Sequence, residues 1–184
     1  MLRFLLPLAV MFAGLQQVAA QETKLVSLEP ISHPGWFVAH NNFVGTIEPS
    51  SFGFDPADGT FRMVAGLAGG TSISFESINY PGHYLRHSGF SFYLNAYENT
   101  EIFRADASFV EGPSFARGNE ASSFHSVNFP DRYLTVEDSL LVLRPFENST
   151  DFMSRISFYV LPGIHNPDFD PYGPGITYGP GKNN

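Results

Sequence analysis

Residues 74–87 read Ser-Phe-Glu-Ser-Ile-Asn-Tyr-Pro-Gly-His-Tyr-Leu-Arg-His, and two other parts of the chain repeat this pattern. One copy begins 47 residues earlier, where residues 27–40 read Ser-Leu-Glu-Pro-Ile-Ser-His-Pro-Gly-Trp-Phe-Val-Ala-His. The other begins 49 residues later, where residues 123–136 read Ser-Phe-His-Ser-Val-Asn-Phe-Pro-Asp-Arg-Tyr-Leu-Thr-Val. Units of this length cannot each bury a hydrophobic face alone, so they pack against one another. The sequence therefore predicts one domain built from three similar units, which we call repeats one, two and three.

Each repeat has the pattern of short strands. Apolar and polar residues alternate, a Pro-Gly or Pro-Asp turn follows, and the chain lacks an amphipathic helical period. A second block with a central phenylalanine follows at residues 60–62, 102–104 and 151–153, and residues 103–110 are predicted to be a strand. Three such units that close on one another predict an all-β fold, a β-trefoil, since a propeller requires at least a fourth unit. Six recurring apolar sets form the predicted core: Leu28, Phe75 and Phe124; Ile31, Ile78 and Val127; Phe37, Tyr84 and Tyr133; Val38, Leu85 and Leu134; Ile47, Leu94 and Leu143; Phe61, Phe103 and Phe152.

Composition excludes several classes of protein. The chain has 184 residues, of which 43% are apolar and 15% charged, and it contains no cysteine. These values exclude a wholly disordered chain, a disulfide scaffold and a cysteine-based zinc site. The formal net charge of -8 and the presence of only two lysines leave no basic face for phosphates or anionic lipids, so we expect no nucleic-acid or membrane partner. We also expect no metal and no cofactor, because Asp168 and Asp170 are too few ligands for calcium.

The chain divides into three segments by composition. Residues 1–20 contain one basic residue, a short apolar run and the small residues Ala19 and Ala20, which is typical of a secretory signal peptide. We therefore expect a secreted, extracellular protein whose domain spans residues 21–161. Residues 162–184 contain five prolines and five glycines, and we expect an extended tail there that folding does not require. Asn148-Ser149-Thr150 is a predicted N-glycosylation site.

The repeat-two pattern, followed by Phe103-Arg104-Ala105-Asp106-Ala107-Ser108-Phe109, resembles the arabinose-binding module of α-L-arabinofuranosidases, carbohydrate-binding module family 42. The resemblance extends over about residues 27–160. It implies a β-trefoil whose repeats can each carry a pocket for an arabinofuranosyl branch of arabinoxylan or arabinan. In those enzymes the catalytic domain is separate, and we expect this protein to lack it. The resemblance therefore implies a protein that is not an enzyme.

The resemblance also implies which residues bind the sugar. The family pocket uses a histidine at the end of the first block and an aspartate in the second, and these correspond to His87 and Asp106 in repeat two. The positions that flank the turn, Tyr80 and His83, are expected to face the same pocket. Repeat one keeps His40 but has Val64 at the position assigned to the aspartate. Repeat three has Val136 and Arg155 at the two positions, so the sequence predicts a single pocket, in repeat two.

These residue types suit a neutral, hydroxyl-rich ligand. A carboxylate accepts hydrogen bonds from two neighbouring hydroxyls, an imidazole donates or accepts, and an aromatic ring forms a flat apolar wall. The predicted function is a lectin-like protein whose partner is a polysaccharide that carries arabinofuranosyl branches. The alternative is a structural protein that uses the trefoil as a scaffold, binds no sugar and contacts extracellular-matrix components. Enzymatic activity is the third alternative, and it lacks support because the sequence has no Ser-His-Asp elbow, metal motif or phosphate loop.

Overall fold

Strands dominate the computed structural model, which describes residues 24–51, 53–116 and 120–165. The predicted signal peptide and most of the predicted tail lie outside these residues. The two helices among them have six residues each, and neither is long and apolar enough to span a membrane. The elements are β1 Lys24–Pro30, β2 Trp36–Asn41, β3 Val44–Pro49, β4 Phe61–Ala65, β5 Ile73–Ser77, β6 His83–Ser88, β7 Ser91–Ala96, α1 Glu101–Asp106, β8 Phe109–Pro113, β9 Ala121–Ser126, β10 Arg132–Glu137, β11 Leu140–Pro145, α2 Thr150–Arg155 and β12 Phe158–Pro162.

The strands form one closed antiparallel sheet. The circuit runs β10-β11-β3-β7-β6-β5-β4-β1-β12-β9 and returns to β10 through the β9–β10 pair. Strand β2 pairs with β3, and β8 pairs with both β9 and β5. Closure leaves few free strand edges, which protects an apolar-rich chain from edge-to-edge association. The predicted all-β class is confirmed.

Three hairpins, β2–β3, β6–β7 and β10–β11, occupy equivalent places in the three repeats. Their second strands also pair with one another, through Val44 with Tyr93, Ser91 with Val142, and Leu140 with Thr46. Each hairpin turns through two residues with positive φ, at residues 42–43, 89–90 and 138–139. Such turns match the right-handed twist of the flanking strands.

The core lies inside the closed sheet and consists largely of the predicted residues. The sets headed by Leu28, Val38 and Ile47 are buried in all three repeats. The set of Ile31, Ile78 and Val127 is only half-buried, because these residues follow β1, β5 and β9 and lie in the turns. Tyr84 and Tyr133 are half-buried too, unlike Phe37.

The alignment of the second block was wrong. Phe61, Phe109 and Phe158 are the equivalent buried residues, since they begin β4, β8 and β12. Phe103 and Phe152 are buried as well, but they lie in α1 and α2, and the described residues between β3 and β4 of repeat one form no corresponding helix. The predicted strand over residues 103–110 therefore begins only at Phe109.

Both helices have clear start signals. The hydroxyls of Thr100 and Ser149 accept hydrogen bonds from the backbone N–H groups of Phe103 and Phe152. A Ser or Thr hydroxyl at this position satisfies a donor that the helix itself leaves free. Local capping therefore produces a helical turn where hydrophobic alternation alone favoured a strand.

The predicted boundary between domain and tail at Pro162 also needs correction. Pro162 pairs with Val26 as the last residue of β12, and Gly163 is buried. The backbone N–H groups of Gly163, Ile164 and His165 donate to the Leu25 carbonyl, the Ser27 Oγ and the Thr60 Oγ1 respectively, at 3.1, 3.1 and 2.9 Å. The packed domain therefore continues to His165.

Candidate functional site

Polar and aromatic side chains of repeats one and two meet beside the first hairpin, and we call this group the His40 cluster. His40 Nε2 lies 3.3 Å from both Asn79 Oδ1 and Asp58 Oδ1. Asn79 Nδ2 donates to Asp58 Oδ1 at 2.7 Å, and Ser77 Oγ donates to Asn79 Oδ1 at 2.6 Å. The Tyr80 ring packs edge-on against the His40 ring, with 5.3 Å between centroids. The histidine and aspartate thus come from repeat one, and the asparagine and tyrosine come from the turn of repeat two.

The same arrangement recurs between repeats two and three, and we call it the His87 cluster. His87 Nε2 lies 3.1 Å from Asn128 Oδ1 and 3.6 Å from Asp106 Oδ1. Asn128 Nδ2 donates to Asp106 Oδ1 at 2.7 Å, and Ser126 Oγ donates to Asn128 Oδ1 at 2.6 Å. The Phe129 ring takes the place of Tyr80, at 5.6 Å from the His87 ring.

A phenylalanine with strained backbone completes each cluster. Phe43 has a φ of 64° and Phe90 a φ of 66°, a region that bulky residues rarely adopt. Phe43 lies 4.9 Å from the Tyr80 ring, and Phe90 lies 5.3 Å from the Phe129 ring. The two-residue hairpin turn requires this conformation, which costs a bulky residue roughly 1–3 kcal/mol.

The third junction, between repeats three and one, carries none of these groups. Val136 stands in the place of the histidine, and His33 in the place of the turn aromatic. Arg155 replaces the aspartate. It is held by Asp151 Oδ2 at 3.0 Å and by the Val136 carbonyl at 3.3 Å. The strained phenylalanine is replaced by Ser139, with a φ of 66°.

The third junction is instead an ion-pair network. Arg144 donates two hydrogen bonds to Glu137, at 2.9 and 2.7 Å, and Arg155 Nη1 lies 3.5 Å from Glu137 Oε1. The hydrogen bond from Arg144 lowers the pKa of the Glu137 carboxyl below its ordinary value, and Arg155 contributes less. Glu137 and Arg155 pair with each other and line a cavity of about 370 Å³ together with His33, Val136 and Ser139.

The four predicted sugar-binding residues fall into two groups. His87 and Asp106 lie together in the His87 cluster. Tyr80 and His83 instead contact Phe43 of the His40 cluster, with 4.9 and 6.1 Å between ring centroids. The residues that take their places beside His87 are Phe129 and Arg132, and the Arg132 guanidinium lies 4.3 Å from the Phe90 ring. The expectation of one shared pocket was wrong because each cluster takes its turn residues from the following repeat.

The expectation that repeat one lacks the aspartate was also wrong. Asp58, not Val64, lies beside His40. The missed signal is the pattern Asp-x-Thr/Ser-Phe, which occurs as Asp58-Gly59-Thr60-Phe61 and Asp106-Ala107-Ser108-Phe109. Repeat three has Arg155-Ile156-Ser157-Phe158 at the same place. The longer loop of repeat one had hidden this equivalence.

The two clusters differ in accessibility. The Asp58 side chain is 32% exposed and lies at a cavity of about 220 Å³, lined also by His40, Phe43 and Tyr80. The Asp106 side chain is only 10% exposed, and Arg86 Nη1 donates to its Oδ2 at 3.1 Å. The repeat-one cluster is therefore the more open of the two.

His87 is neutral near neutral pH. Burial lowers the pKa of its imidazole, and this effect outweighs the opposing influences of the Asp106 charge and the Asn128 hydrogen bond. The Ser126 hydroxyl donates its proton to Asn128 Oδ1, so Ser126 Oγ can only accept a hydrogen bond from His87. Because Ser126 Oγ and Asn128 Oδ1 are both acceptors, they favour the His87 tautomer that carries the proton on Nε2. The neutral ring thus orients Asn128, which in turn positions the Asp106 carboxylate.

Asn148 is exposed and directly precedes the N-cap residue Ser149. Its glycosylation stays a prediction. Among the described residues, no group of three or more His, Cys, Asp or Glu side chains has the spacing of a metal site.

Curated proteins with similar sequences include alpha-L-arabinofuranosidases B of fungi. A stretch of 92 residues is 35% identical to the alpha-L-arabinofuranosidase B of Aspergillus niger and covers 47% of this chain and 18% of that protein. A stretch of 43 residues is 49% identical to the alpha-L-arabinofuranosidase B of Emericella nidulans, covering 23% of this chain and 8% of that protein. The chain thus spans less than a fifth of the length of these relatives.

Solved structures with a similar fold include an arabinofuranosidase complexed with arabinofuranosyl-alpha-1,2-xylobiose, at a TM-score of 0.70 and 25% identity, covering 78% of this chain and 32% of that chain. SeviL bound to asialo-GM1 saccharide has a TM-score of 0.57 and 8% identity, covers 77% of this chain and 98% of that chain, and shows likeness of fold alone. Residues 26–160 match the alpha-L-arabinofuranosidase B (ABFB) domain, and this range contains every residue of both clusters. The chain therefore belongs to the ABFB domain family.

Proposed function

We propose that this protein is a secreted, non-catalytic carbohydrate-binding protein that recognises arabinofuranosyl or similar furanosyl side chains of a polysaccharide. The His40 and His87 clusters are its two binding sites. The sites therefore include Tyr80, His83, His87 and Asp106, together with His40 and Asp58. Membership of the ABFB domain family supports a role in binding arabinose.

One observation carries the proposal. The His40 and His87 clusters share histidine, aspartate, asparagine, a turn aromatic and a strained phenylalanine, and the third junction lacks all five. The third junction has an equivalent hairpin without these groups and is held by the ion pairs of Glu137 instead, so the fold itself does not require them. These five groups occur together at two junctions and are absent together at the third, which favours a shared role in binding a ligand.

The chemistry of each cluster suits a furanose. The aspartate keeps lone pairs free after accepting from the asparagine, so it can accept from sugar hydroxyls. The exposed rings of Phe43 and Tyr80, or of Phe90 beside the half-buried Phe129, provide apolar surface for the sugar ring. A small polar pocket gains few contacts to offset the lost freedom of the ligand, so each site should bind with a Kd of about millimolar to tens of micromolar. A polymer with several branches would gain avidity from two sites.

The fold and the location of the protein form part of the proposal. The cyclic pairing of the three hairpins and the closed sheet support a β-trefoil with three internal repeats. The signal-like residues 1–20 and the sequon at Asn148 support a secreted glycoprotein. A structural or extracellular-matrix role without sugar binding is the alternative that a failed binding test would favour.

Titration calorimetry with arabinofuranosyl-α-1,2-xylobiose tests the proposal. The unaltered protein should bind two equivalents at millimolar ligand. Asp58→Ala and Asp106→Ala should each remove one equivalent, and the double variant should remove both, because each substitution deletes the hydroxyl acceptors of one site.

Glu111→Gln serves as the control. Glu111 is exposed, accepts a hydrogen bond from the Ser122 hydroxyl and belongs to neither cluster, so the titration should not change. Melting curves on every variant show whether the fold is intact. Absence of heat with the unaltered protein, or unchanged binding by the folded double variant, would refute the proposal and favour the scaffold role.

A further inference from the structure

A second cleft adjoins the His40 cluster, and the proposed function assigns no ligand to it. It measures about 390 Å³ and shares His40, Asn41 and Asp58 with the 220 Å³ cavity of that cluster. Its outer part is lined by residues of β3 and of the loop that follows, Glu48, Pro49, Phe54 and Asp55. The 220 Å³ cavity has room for one small ring, whereas the volume of the 390 Å³ cleft lies within the usual range for drug-sized ligands.

The cleft is open because repeat one lacks a side chain that covers the aspartate in repeat two. Arg86 donates to Asp106 Oδ2 at 3.1 Å and to Asn95 Oδ1 at 2.8 Å, which closes that face of the aspartate. The hairpin register aligns Phe37 with Glu48 and Tyr84 with Asn95, so Glu48 occupies the place of Asn95. By the same register, Ala39 occupies the place of Arg86. The Ala39 methyl thus replaces the Arg86 guanidinium, and the Glu48 carboxylate replaces the Asn95 amide.

The consequence appears in the hydrogen bonding of Asp58. Its Oδ1 faces Asn79 and His40, as described above, whereas Oδ2 accepts no hydrogen bond from any described residue. Asp58 lines both cavities. Its carboxylate therefore stands between them with acceptor capacity left over.

The outer cleft offers further groups that suit a sugar. Glu48 Oε1 is held by the Thr46 hydroxyl at 3.1 Å and by Asn41 Nδ2 at 3.3 Å, so its carboxylate is oriented while Oε2 stays available. Phe54 packs against Gly59, and its Cζ lies only 2.7 Å from the place that a Cβ of residue 59 would occupy. An oriented carboxylate beside an aromatic ring provides a hydroxyl acceptor and an apolar face.

We propose that the repeat-one site has two subsites and binds an oligosaccharide, with the furanosyl unit at His40 and the next sugar of the chain in the outer cleft. The repeat-two site binds the terminal furanosyl unit alone, since Arg86 closes the corresponding side. This inference rests on the proposed function, because it assigns a larger ligand to one of the two proposed sites.

Single-site variants of the full chain test the inference. Asp106→Ala leaves the repeat-one site to be measured, and Asp58→Ala leaves the repeat-two site. Each variant is titrated with methyl α-L-arabinofuranoside and with arabinofuranosyl-α-1,2-xylobiose. We expect the repeat-one site to bind the trisaccharide about tenfold more tightly than the methyl glycoside, and the repeat-two site to bind both within about twofold.

Substitutions in the outer cleft should remove this preference. In the Asp106→Ala background, Phe54→Ala or Glu48→Gln should bring the ratio of the two affinities at repeat one towards one. Glu48→Gln preserves shape and is the safer variant if Phe54→Ala unfolds the loop. Glu111→Gln in the same background should keep the tenfold ratio.

The outcomes separate this inference from the proposed function. Equal ratios at the two sites, or a ratio that survives both Phe54→Ala and Glu48→Gln, would overturn the two-subsite inference while sugar binding stands. If neither site bound either ligand, the proposed function would be refuted, and this inference with it.

Discussion

Asn128 donates to Asp106 across 2.7 Å and so joins repeat three to repeat two at the base of a candidate sugar site. Asn79 makes the same bond to Asp58 across the junction of repeats two and one. Each asparagine is itself oriented by a serine of its own repeat, Ser126 or Ser77. A carboxylate that is held in this way is pre-organised, so little further ordering is needed when a ligand arrives.

We expect Asn128→Ala to weaken both the fold and the His87 site. The substitution removes the hydrogen bond to Asp106 and leaves His87 Nε2 without its closest amide acceptor, which should cost roughly 1–3 kcal/mol of unfolding free energy. Chemical denaturation measures this cost, and calorimetry measures binding. The matched variant Asn79→Ala should affect the His40 site instead, and binding loss at the same site in both variants would contradict the assignment.

The strained hairpin residues allow a matched set of three glycine variants. At a φ near 65°, Phe43→Gly, Phe90→Gly and Ser139→Gly each relieve backbone strain at the same turn position. We expect Phe43→Gly and Phe90→Gly each to abolish binding at one site, because the apolar wall is lost. Ser139→Gly should leave both sites intact.

Melting curves separate the two effects in these variants. Relief of strain should keep the melting temperatures of all three within a few degrees of the unaltered protein, because it offsets the greater freedom of glycine in the unfolded chain. If Phe43→Gly and Phe90→Gly bound sugar normally, the phenylalanines would be structural only.

Stability should depend on pH through His87. Burial lowers the pKa of its imidazole in the folded protein below the ordinary value of 6.5. The unfolded chain therefore takes up a proton first as the pH falls through 6.5, and the stability present above that pH is progressively lost until the folded pKa is reached. Melting temperatures measured between pH 8 and pH 5 should decrease on the acid side, and His87→Gln should flatten this part of the curve. An identical slope in the variant would show that other groups cause it.

Two truncations should differ sharply. A chain that ends at Leu161 loses three backbone hydrogen bonds, to Leu25, Ser27 and Thr60, each worth roughly 1 kcal/mol. It should melt several degrees lower than a chain that ends at His165, which keeps them. Equal melting temperatures would show that residues 162–165 contribute nothing to the fold.

Hydrophobic repetition predicted the all-β class and most of the core because it reports directly on packing. Leu28, Phe75 and Phe124 recur at spacings of 47 and 49 residues and are all buried. The helix at Glu101–Asp106 escaped prediction because a threonine cap and a single turn determine it, too short for any periodicity to appear.

The candidate sites were harder to predict, for two physical reasons. Asp58 follows a loop whose length differs from those in the other repeats, so alignment on the nearest phenylalanine selected Val64. Tyr80 follows the strand pattern of repeat two but lies beside His40, which only the closed sheet reveals. Proximity across repeats is a property of the closed sheet, and a single sequence does not encode it as a pattern.

Each cluster lies across a repeat junction, so two repeats must be held together for a site to form. Repeat two supplies His87 and Asp106 to one cluster and Asn79 and Tyr80 to the other, so no single repeat holds a complete cluster. Three separate copies of one repeat would assemble these sites only between subunits, so occupancy would fall on dilution as the subunits separated. Covalent linkage of the repeats makes the sites intramolecular, and their assembly in this chain is therefore independent of protein concentration.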